Sequence, residues 1–290
     1  MAQIEGVITA MATPFDEDGS VDEAAVRRLA AHLIDNGSHG LVVAGSTGEA
    51  ATLDDQEHLS LLRTVVEEVG DRTTVVCGTG TNDTRHSIEL TKAAADAGAA
   101  AALVVAPYYN KPNPAGIRAH FEAVAKATDK PVILYNIPGR TGTNMPPDLL
   151  AELAEIDNVV AVKQANNDEL QQIDGLALFA GNDDVFLRTL ELGGAGGILV
   201  ASHLVGPQMR EMWDAAQGGD LDRAAEIDRA LQPLYEALAV TTNPIPVKAG
   251  LEMTGLIAND RLRLPLLSAD PAQREAVRAS LEQVGVAVAG

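Results

Sequence analysis

The sequence predicts an α/β protein: a (β/α)8 TIM barrel followed by a C-terminal helical extension. Short apolar runs alternate eight times with longer, mostly amphipathic segments before residue 201. The runs are apolar throughout, which is typical of parallel strands that are covered on both faces. Eight such strand–helix units favour a sheet closed into a barrel, the alternative being an open doubly wound sheet.

The predicted elements follow each other at regular spacing. The strands are expected at residues 7–11, 40–43, 74–77, 101–106, 132–135, 159–163, 176–180 and 197–200. The helices between them are expected at 22–36, 54–69, 83–97, 115–128, 147–155, 168–174 and 184–192. Ser20 and Glu23 have the spacing of a capping box for the first helix, and Gly37 is expected to end it.

The chain beyond the eighth strand is longer than a barrel needs. Residues 206–290 carry three or four further helical segments, although one helix would complete the last unit. We therefore expect a barrel over residues 1–218 and a C-terminal helical region over 219–290. A contribution of this region to oligomerisation is one interpretation.

Composition excludes several classes of function. The chain has 290 residues, 46% of them hydrophobic, with 21 Lys and Arg against 41 Asp and Glu. A formal charge of −20 disfavours binding to nucleic acid or to anionic lipid. The excess of acid fits either a high-salt habitat or a GC-rich genome. No leader segment or apolar stretch long enough for a bilayer is found, so a cytoplasmic location is expected.

Polar residues cluster where the predicted strands end, which is where barrels of this class carry their sites. Lys163 directly follows an apolar strand, so its stem should project from the barrel rim. Lowering its pKa by three units would require roughly 4 kcal/mol, which apolar burial can supply. A neutral amine there can attack a ketone to form an imine. The alternative is a lysine paired with a rim carboxylate.

Other strand ends carry hydroxyls, phenols and one guanidinium. Residues 45–49 form a glycine-containing turn whose amides can bind an anion, or an ordinary tight turn. Tyr109 and Tyr135 are expected on the same face, where a phenol can shuttle protons or can simply pack. Arg140 can clamp a carboxylate or form a surface ion pair. The single cysteine, Cys77, and the scattered histidines indicate no metal site, and we expect no cofactor.

Six motifs follow one another in a fixed order along the chain. They are Gly45-Ser46-Thr47-Gly48-Glu49, Pro107-Tyr108-Tyr109-Asn110, Tyr135-Asn136-Ile137-Pro138-Gly139-Arg140-Thr141-Gly142, Lys163, Gly181-Asn182-Asp183 and Asn243-Pro244-Ile245-Pro246-Val247-Lys248. On these motifs the chain resembles the dihydrodipicolinate synthase (4-hydroxy-tetrahydrodipicolinate synthase) family of pyruvate-dependent class I aldolases, over essentially its whole length. The resemblance implies a homotetramer built as a dimer of dimers.

The resemblance also implies catalytic roles. Lys163 would form a Schiff base with pyruvate, and Tyr135 would be the central proton donor and acceptor. Ser46 would link Tyr135 to Tyr109, which would reach into the neighbouring subunit's site. The enamine would attack L-aspartate 4-semialdehyde, and ring closure would release Lys163. This reaction opens the diaminopimelate branch of lysine biosynthesis.

Substrate-binding roles come from the same resemblance. Thr47, nearby turn amides and Ile198 would hold pyruvate, and Gly181 is a further substrate-binding candidate. Arg140 would anchor the carboxylate of the semialdehyde at the mouth of the pocket.

Two residues depart from the synthase pattern. Ser46 stands where threonine is usual, and Gln164 follows the lysine where glutamate is common. At both positions the chain resembles N-acetylneuraminate lyase instead. Ser46 keeps the hydroxyl, although its rotamer is freer without the methyl group. Arg140 and the stretch 108–112 favour the synthase. The alternatives are an N-acetylneuraminate lyase or 2-keto-3-deoxy sugar acid aldolase, or a keto-acid-binding barrel without catalysis.

Feedback inhibition by lysine is a separate expectation. In inhibited relatives, histidine and glutamate occupy the positions of Asp55 and His86, whereas His58, Asn82 and Tyr108 are kept. Exchanging a carboxylate for His86 removes a partner for the effector's ammonium group. The resemblance therefore implies weak inhibition or none.

Overall fold

Eight parallel strands close into a barrel in the computed structural model, which describes residues 4–289. The strands are β1 (Gly6–Ala10), β2 (Gly40–Val43), β3 (Thr74–Gly78), β4 (Ala101–Val105), β5 (Val132–Asn136), β6 (Val159–Gln164), β7 (Ala177–Ala180) and β8 (Gly196–Leu199). Their spatial order is their chain order, and β8 pairs in parallel with β1. The predicted fold class is confirmed.

Helices alternate with the strands and then continue beyond them. They are α1 (Glu23–Asp35), α2 (Asp55–Val69), α3 (Thr84–Asp96), α4 (Pro114–Ala125), α5 (Pro138–Thr141), α6 (Pro147–Leu153), α7 (Phe186–Glu191), α8 (Ser202–Gln217), α9 (Leu221–Leu238), α10 (Ile245–Met253) and α11 (Pro271–Gln283). The break expected after residue 218 falls between α8 and α9. No helix within residues 4–289 is long and apolar enough to cross a bilayer. The expected lack of a leader concerns in part residues 1–3, which lie outside the described residues.

Two local predictions are wrong. Asp22, rather than Ser20, caps α1, because its side chain accepts a hydrogen bond from the Ala25 N–H. The helix expected at 168–174 is a single 3₁₀ turn, Asn167–Glu169. Short polar side chains compete with the helical backbone for hydrogen bonds, and Asn167 instead donates to Asp184.

Apolar side chains fill both sides of the sheet. Those inside the barrel include Ile8, Val42, Val76, Leu103, Ile133, Phe179 and Ile198. Those on the outer face pack beneath the helices in two further clusters. Because both faces are covered, each strand must be apolar throughout, which is why the runs were recognisable in the sequence. The filled interior leaves room for a site only at the barrel's carboxyl-terminal end.

Candidate active site

A cavity of about 560 Å³ opens at the carboxyl ends of the strands. Six of the predicted site residues line it: Ser46, Thr47, Tyr135, Arg140, Lys163 and Gly181. The opposite wall comes from the C-terminal region, including Tyr235, Glu236 and Asn243. The C-terminal helices therefore complete the cavity.

Lys163 lies at the base of this cavity and is only 5% exposed. It sits on β6 directly opposite Tyr135 of β5, and its Nζ is 4.3 Å from the centre of the Tyr135 ring. Burial lowers the pKa of Lys163 to about 7; the Asp183 carboxylate opposes this shift, and Arg140 adds to it. Among residues 4–289, no carboxylate lies within 4.0 Å of its Nζ. A large fraction of this amine is therefore neutral and nucleophilic near neutral pH.

Tyr135 is the phenol beside that amine. Burial raises its pKa to about 12, while Arg140 and the Ser46 hydroxyl act in the opposite direction. The phenol therefore stays protonated near neutral pH and can donate a hydrogen bond or a proton. Its ring packs among the apolar side chains inside the barrel, which fixes the direction of the hydroxyl.

The turn after β2 brings two hydroxyls to the cavity. Ser46 and Thr47 lie between Ala44 and Glu49, whose backbones both have positive φ, 51° and 57°. The Asn243 side-chain amide donates to the Thr47 hydroxyl oxygen at 2.9 Å. Because that oxygen is already an acceptor, the Thr47 hydrogen can be donated elsewhere, including to a substrate carboxylate.

Arg140 follows β5 on the short helix α5 and reaches the cavity mouth. One of its guanidinium nitrogens donates to the Asn243 carbonyl at 2.8 Å. Among residues 4–289 it forms no ion pair, so the surface ion pair considered as an alternative is not formed. A guanidinium carries five N–H donors, so donors beyond this contact can meet an anion.

Asp183 is a cavity residue that the sequence analysis named only as part of a motif, with no role of its own. It follows β7, and its Oδ1 accepts hydrogen bonds from the Val200 and Ala201 N–H groups at 3.0 Å each. Burial raises its pKa to about 6, and its charge acts on Lys163. The available signal was its position in Gly181-Asn182-Asp183, a motif at the end of a predicted strand.

Of the remaining predicted residues, Gly181 lines the cavity, whereas Ile198 and Tyr109 do not. Gly181 packs against β6 so closely that a Cβ would meet the Gln164 carbonyl at 2.7 Å, and its N–H donates to that carbonyl. Ile198 is fully buried on β8 and is not among the residues that line the cavity. Tyr109 is 88% exposed and also lies outside the cavity lining.

Gln164 is buried on the other face of β6 from Lys163. Its Oε1 accepts hydrogen bonds from the Asn136 side chain at 3.1 Å and from the Asn166 N–H at 2.9 Å. A glutamate could accept the same two bonds, so the amide keeps the hydrogen bonding and removes a negative charge near Lys163.

Two features lie outside this site. The residues considered for lysine feedback include His86, whose Nε2 is 2.9 Å from Asp55 Oδ1, and the buried His58, whose Nε2 is 3.4 Å from Cys77 Sγ. Within residues 4–289, no three His, Cys, Asp or Glu side chains come together in a way that could hold a metal ion.

The model of the dihydrodipicolinate synthetase family matches residues 3–284. The chain belongs to this family. It is 45% identical to the 4-hydroxy-tetrahydrodipicolinate synthase of a Cyanothece species, over 99% of this chain and all of that protein. It is 46% identical to the synthase of Desulforudis audaxviator, with 96% of each chain covered. The resemblance drawn from the six motifs is therefore confirmed.

Solved structures from the dihydrodipicolinate synthetase family have the same fold. The dihydrodipicolinate synthase of Aquifex aeolicus superposes with a TM-score of 0.95 at 37% identity, covering 99% of this chain and 100% of that one. The chloride-inhibited synthase of Acinetobacter baumannii, complexed with pyruvate, also gives 0.95, at 38% identity and with 98% and 100% covered. Membership of the family makes this chain an enzyme of the class I aldolase type.

Proposed function

We propose that the chain is a 4-hydroxy-tetrahydrodipicolinate synthase that condenses pyruvate with L-aspartate 4-semialdehyde through a Schiff base on Lys163. The observation that carries the proposal is the buried amine of Lys163, with its pKa lowered to about 7 at the base of a cavity lined by phenol and hydroxyl groups. The relatives named as synthases over nearly the whole chain support the same reaction.

The chemistry begins with pyruvate. The neutral Lys163 amine attacks the ketone carbon, and loss of water gives an imine. Tyr135, kept protonated by its raised pKa, supplies the proton that the leaving hydroxyl needs and later takes one back. Thr47 is the hydrogen-bond donor for the pyruvate carboxylate. Loss of a proton from the pyruvate methyl group then gives the enamine.

The second half joins the two substrates. The enamine carbon attacks the aldehyde, and the amine of the semialdehyde then attacks the imine carbon, which closes the ring and releases the Lys163 amine. Arg140 binds the carboxylate of the semialdehyde at the cavity mouth. This is the step that opens the diaminopimelate branch of lysine biosynthesis, and its location is the cytoplasm.

The proton relay requires a second subunit. Tyr109 is exposed in the single chain, and its backbone lies in the left-handed region at φ 71°. Such strain in an exposed aromatic residue is typical of a functional or contact position. In the proposed homotetramer, Tyr109 enters the neighbouring subunit's cavity, where Ser46 connects it to Tyr135.

A coupled assay tests this function. With pyruvate and L-aspartate 4-semialdehyde, we expect consumption of both substrates, and the Lys163→Ala variant should be inactive. The second candidate is an N-acetylneuraminate lyase or 2-keto-3-deoxy sugar acid aldolase, favoured by Ser46 and Gln164. Cleavage of N-acetylneuraminate without turnover of the semialdehyde would reverse the assignment. Pyruvate binding without a trapped imine would instead indicate a non-catalytic barrel.

A further inference from the structure

A buried ion pair joins the C-terminal region to the turn that carries Ser46 and Thr47. Lys248 of α10 is fully buried, and Glu49, the last residue of the turn, is 4% exposed. The Lys248 Nζ donates to Glu49 Oε1 at 2.8 Å and to the Thr13 carbonyl at 2.8 Å. The second carboxylate oxygen of Glu49 accepts the Arg263 N–H at 3.0 Å. Both oxygens of the buried carboxylate are therefore matched by donors from the C-terminal region.

The loop after β1 is part of the same arrangement. The Thr13 hydroxyl donates to the Gly48 carbonyl at 2.7 Å, one residue before Glu49. Two cations lie over the Phe15 ring, with Lys248 Nζ 4.3 Å and Arg263 Cζ 4.6 Å from its centre. The turn is thus fixed by both the barrel and the C-terminal region.

Three considerations make this pair more than a stabilising contact. Glu49 has a left-handed backbone, which costs of order 1–3 kcal/mol in a residue other than glycine and persists only where the surroundings fix it. Apolar residues of similar volume often replace a buried ion pair without loss of stability, so stability alone does not require the charges. The charges fix the orientation of the Glu49 side chain, because its two carboxylate oxygens must accept from Lys248 and from the Arg263 N–H at the same time.

We propose that Glu49 is a positioning residue for Ser46 and Thr47, held in place across the barrel boundary by Lys248. The carboxylate fixes one end of the turn, and the backbone conformation at Glu49 sets the directions of the two hydroxyls before it. Lys248 therefore acts on the reaction without touching substrate. The effect on turnover depends on the proposed function, whereas the effect on pyruvate binding depends only on imine formation at Lys163.

The test is a double variant that removes both charges with little change in volume, Glu49→Gln with Lys248→Met. We expect the pyruvate concentration for half-maximal borohydride trapping at Lys163 to rise about tenfold or more, and kcat to fall by at least a similar factor, since small displacements of reacting groups have large costs. The melting temperature should fall less than in Lys248→Met alone, because no charge is left buried without its partner. Loss of stability alone would reduce the amount of active enzyme and leave the half-saturation unchanged.

A second variant and a matched control complete the experiment. Glu49→Asp keeps the charge but shortens the side chain, so it should also raise the pyruvate half-saturation, and it serves if the double variant does not fold. The control is Glu252→Gln with Arg274→Met, which removes a half-buried ion pair between α10 and α11 and also breaks the Arg274–Asp260 pair. It should move the melting temperature and leave the half-saturation unchanged.

Two outcomes would overturn the proposal. One is a parental half-saturation and kcat in every folded Glu49 variant, and the other is an equal rise in the control. If the parent enzyme does not turn over L-aspartate 4-semialdehyde, the proposed function fails, but the pyruvate trapping measurement still decides the role of Glu49.

Discussion

Lys163 and Lys248 are both buried, but among residues 4–289 only Lys248 forms an ion pair with a carboxylate. At the barrel mouth, Lys163 faces a cavity and has no carboxylate within ion-pair distance among residues 4–289, so burial lowers its pKa to about 7. At the C-terminal boundary, burial also lowers the pKa of Lys248, but the Glu49 carboxylate at 2.8 Å opposes it. A buried lysine is therefore nucleophilic where burial lowers its pKa, no carboxylate holds its charge and a cavity admits the substrate.

The largest expected difference between the two lysines is that only Lys163 forms a covalent adduct with pyruvate. In Lys163→Met, pyruvate and borohydride should leave no adduct on the protein, because the nucleophile is gone. In Lys248→Met, saturating pyruvate should still label Lys163, and peptide mapping by mass spectrometry checks the site. A label on Lys248 in the parent protein, or one that persists in Lys163→Met, would contradict the assignment of Lys163 as the nucleophile.

The two lysines should also differ in what they contribute to stability. Lys248→Met leaves the buried Glu49 carboxylate without its cation, so we expect a loss of about 3–5 kcal/mol in the free energy of unfolding. Lys163→Met removes an amine that has no such partner, so we expect no loss and a gain of about 1 kcal/mol, at the expense of activity.

Urea unfolding at one fixed protein concentration measures both values, because association would otherwise shift the apparent stability. Equal losses in the two variants would mean that Lys163 has a stabilising partner after all.

The same contrast explains what the sequence could predict. The strands were predictable because both their faces are buried, and Lys163 was conspicuous because it ends such a run. Lys248 ends the last of the six motifs, but it lies in a helix and nothing in the sequence indicated its partner. Its partner Glu49 is 199 positions away, and Asn243 is 196 positions from Thr47, so these contacts arise only from tertiary structure. The helix expected at 168–174 failed for a related reason: the side chain of Asn167, just before it, donates to Asp184 and accepts from Asn182 in the loop after β7.

The effect of Asp183 on Lys163 could likewise not be predicted, because a position at the end of a strand does not show where the side chain points. The structure assigns it an electrostatic role that can be measured. Its charge raises the pKa of Lys163 against the effect of burial. The pKa of about 7 is therefore a balance of burial and Arg140, which lower it, against Asp183, which raises it, so removing the Asp183 charge should lower it further.

The smallest expected effect is a pH shift in Asp183→Asn. The rate of imine formation should rise with pH through about 7 in the parent protein, because only the neutral amine reacts. The asparagine oxygen can still accept the Val200 and Ala201 N–H groups, so the loop should keep its position. Loss of the negative charge destabilises the ammonium form of Lys163, so the midpoint should move to lower pH by about one unit.

Borohydride trapping with pyruvate from pH 5 to 9 measures this midpoint directly. The matched control is Asp184→Asn, since Asp184 lines the same cavity but is exposed, so that solvent screens its charge. The control should shift the midpoint less than Asp183→Asn. An unchanged or higher midpoint in Asp183→Asn would mean that the Asp183 charge does not act on Lys163, because a carboxylate that acts on the amine must favour its charged form.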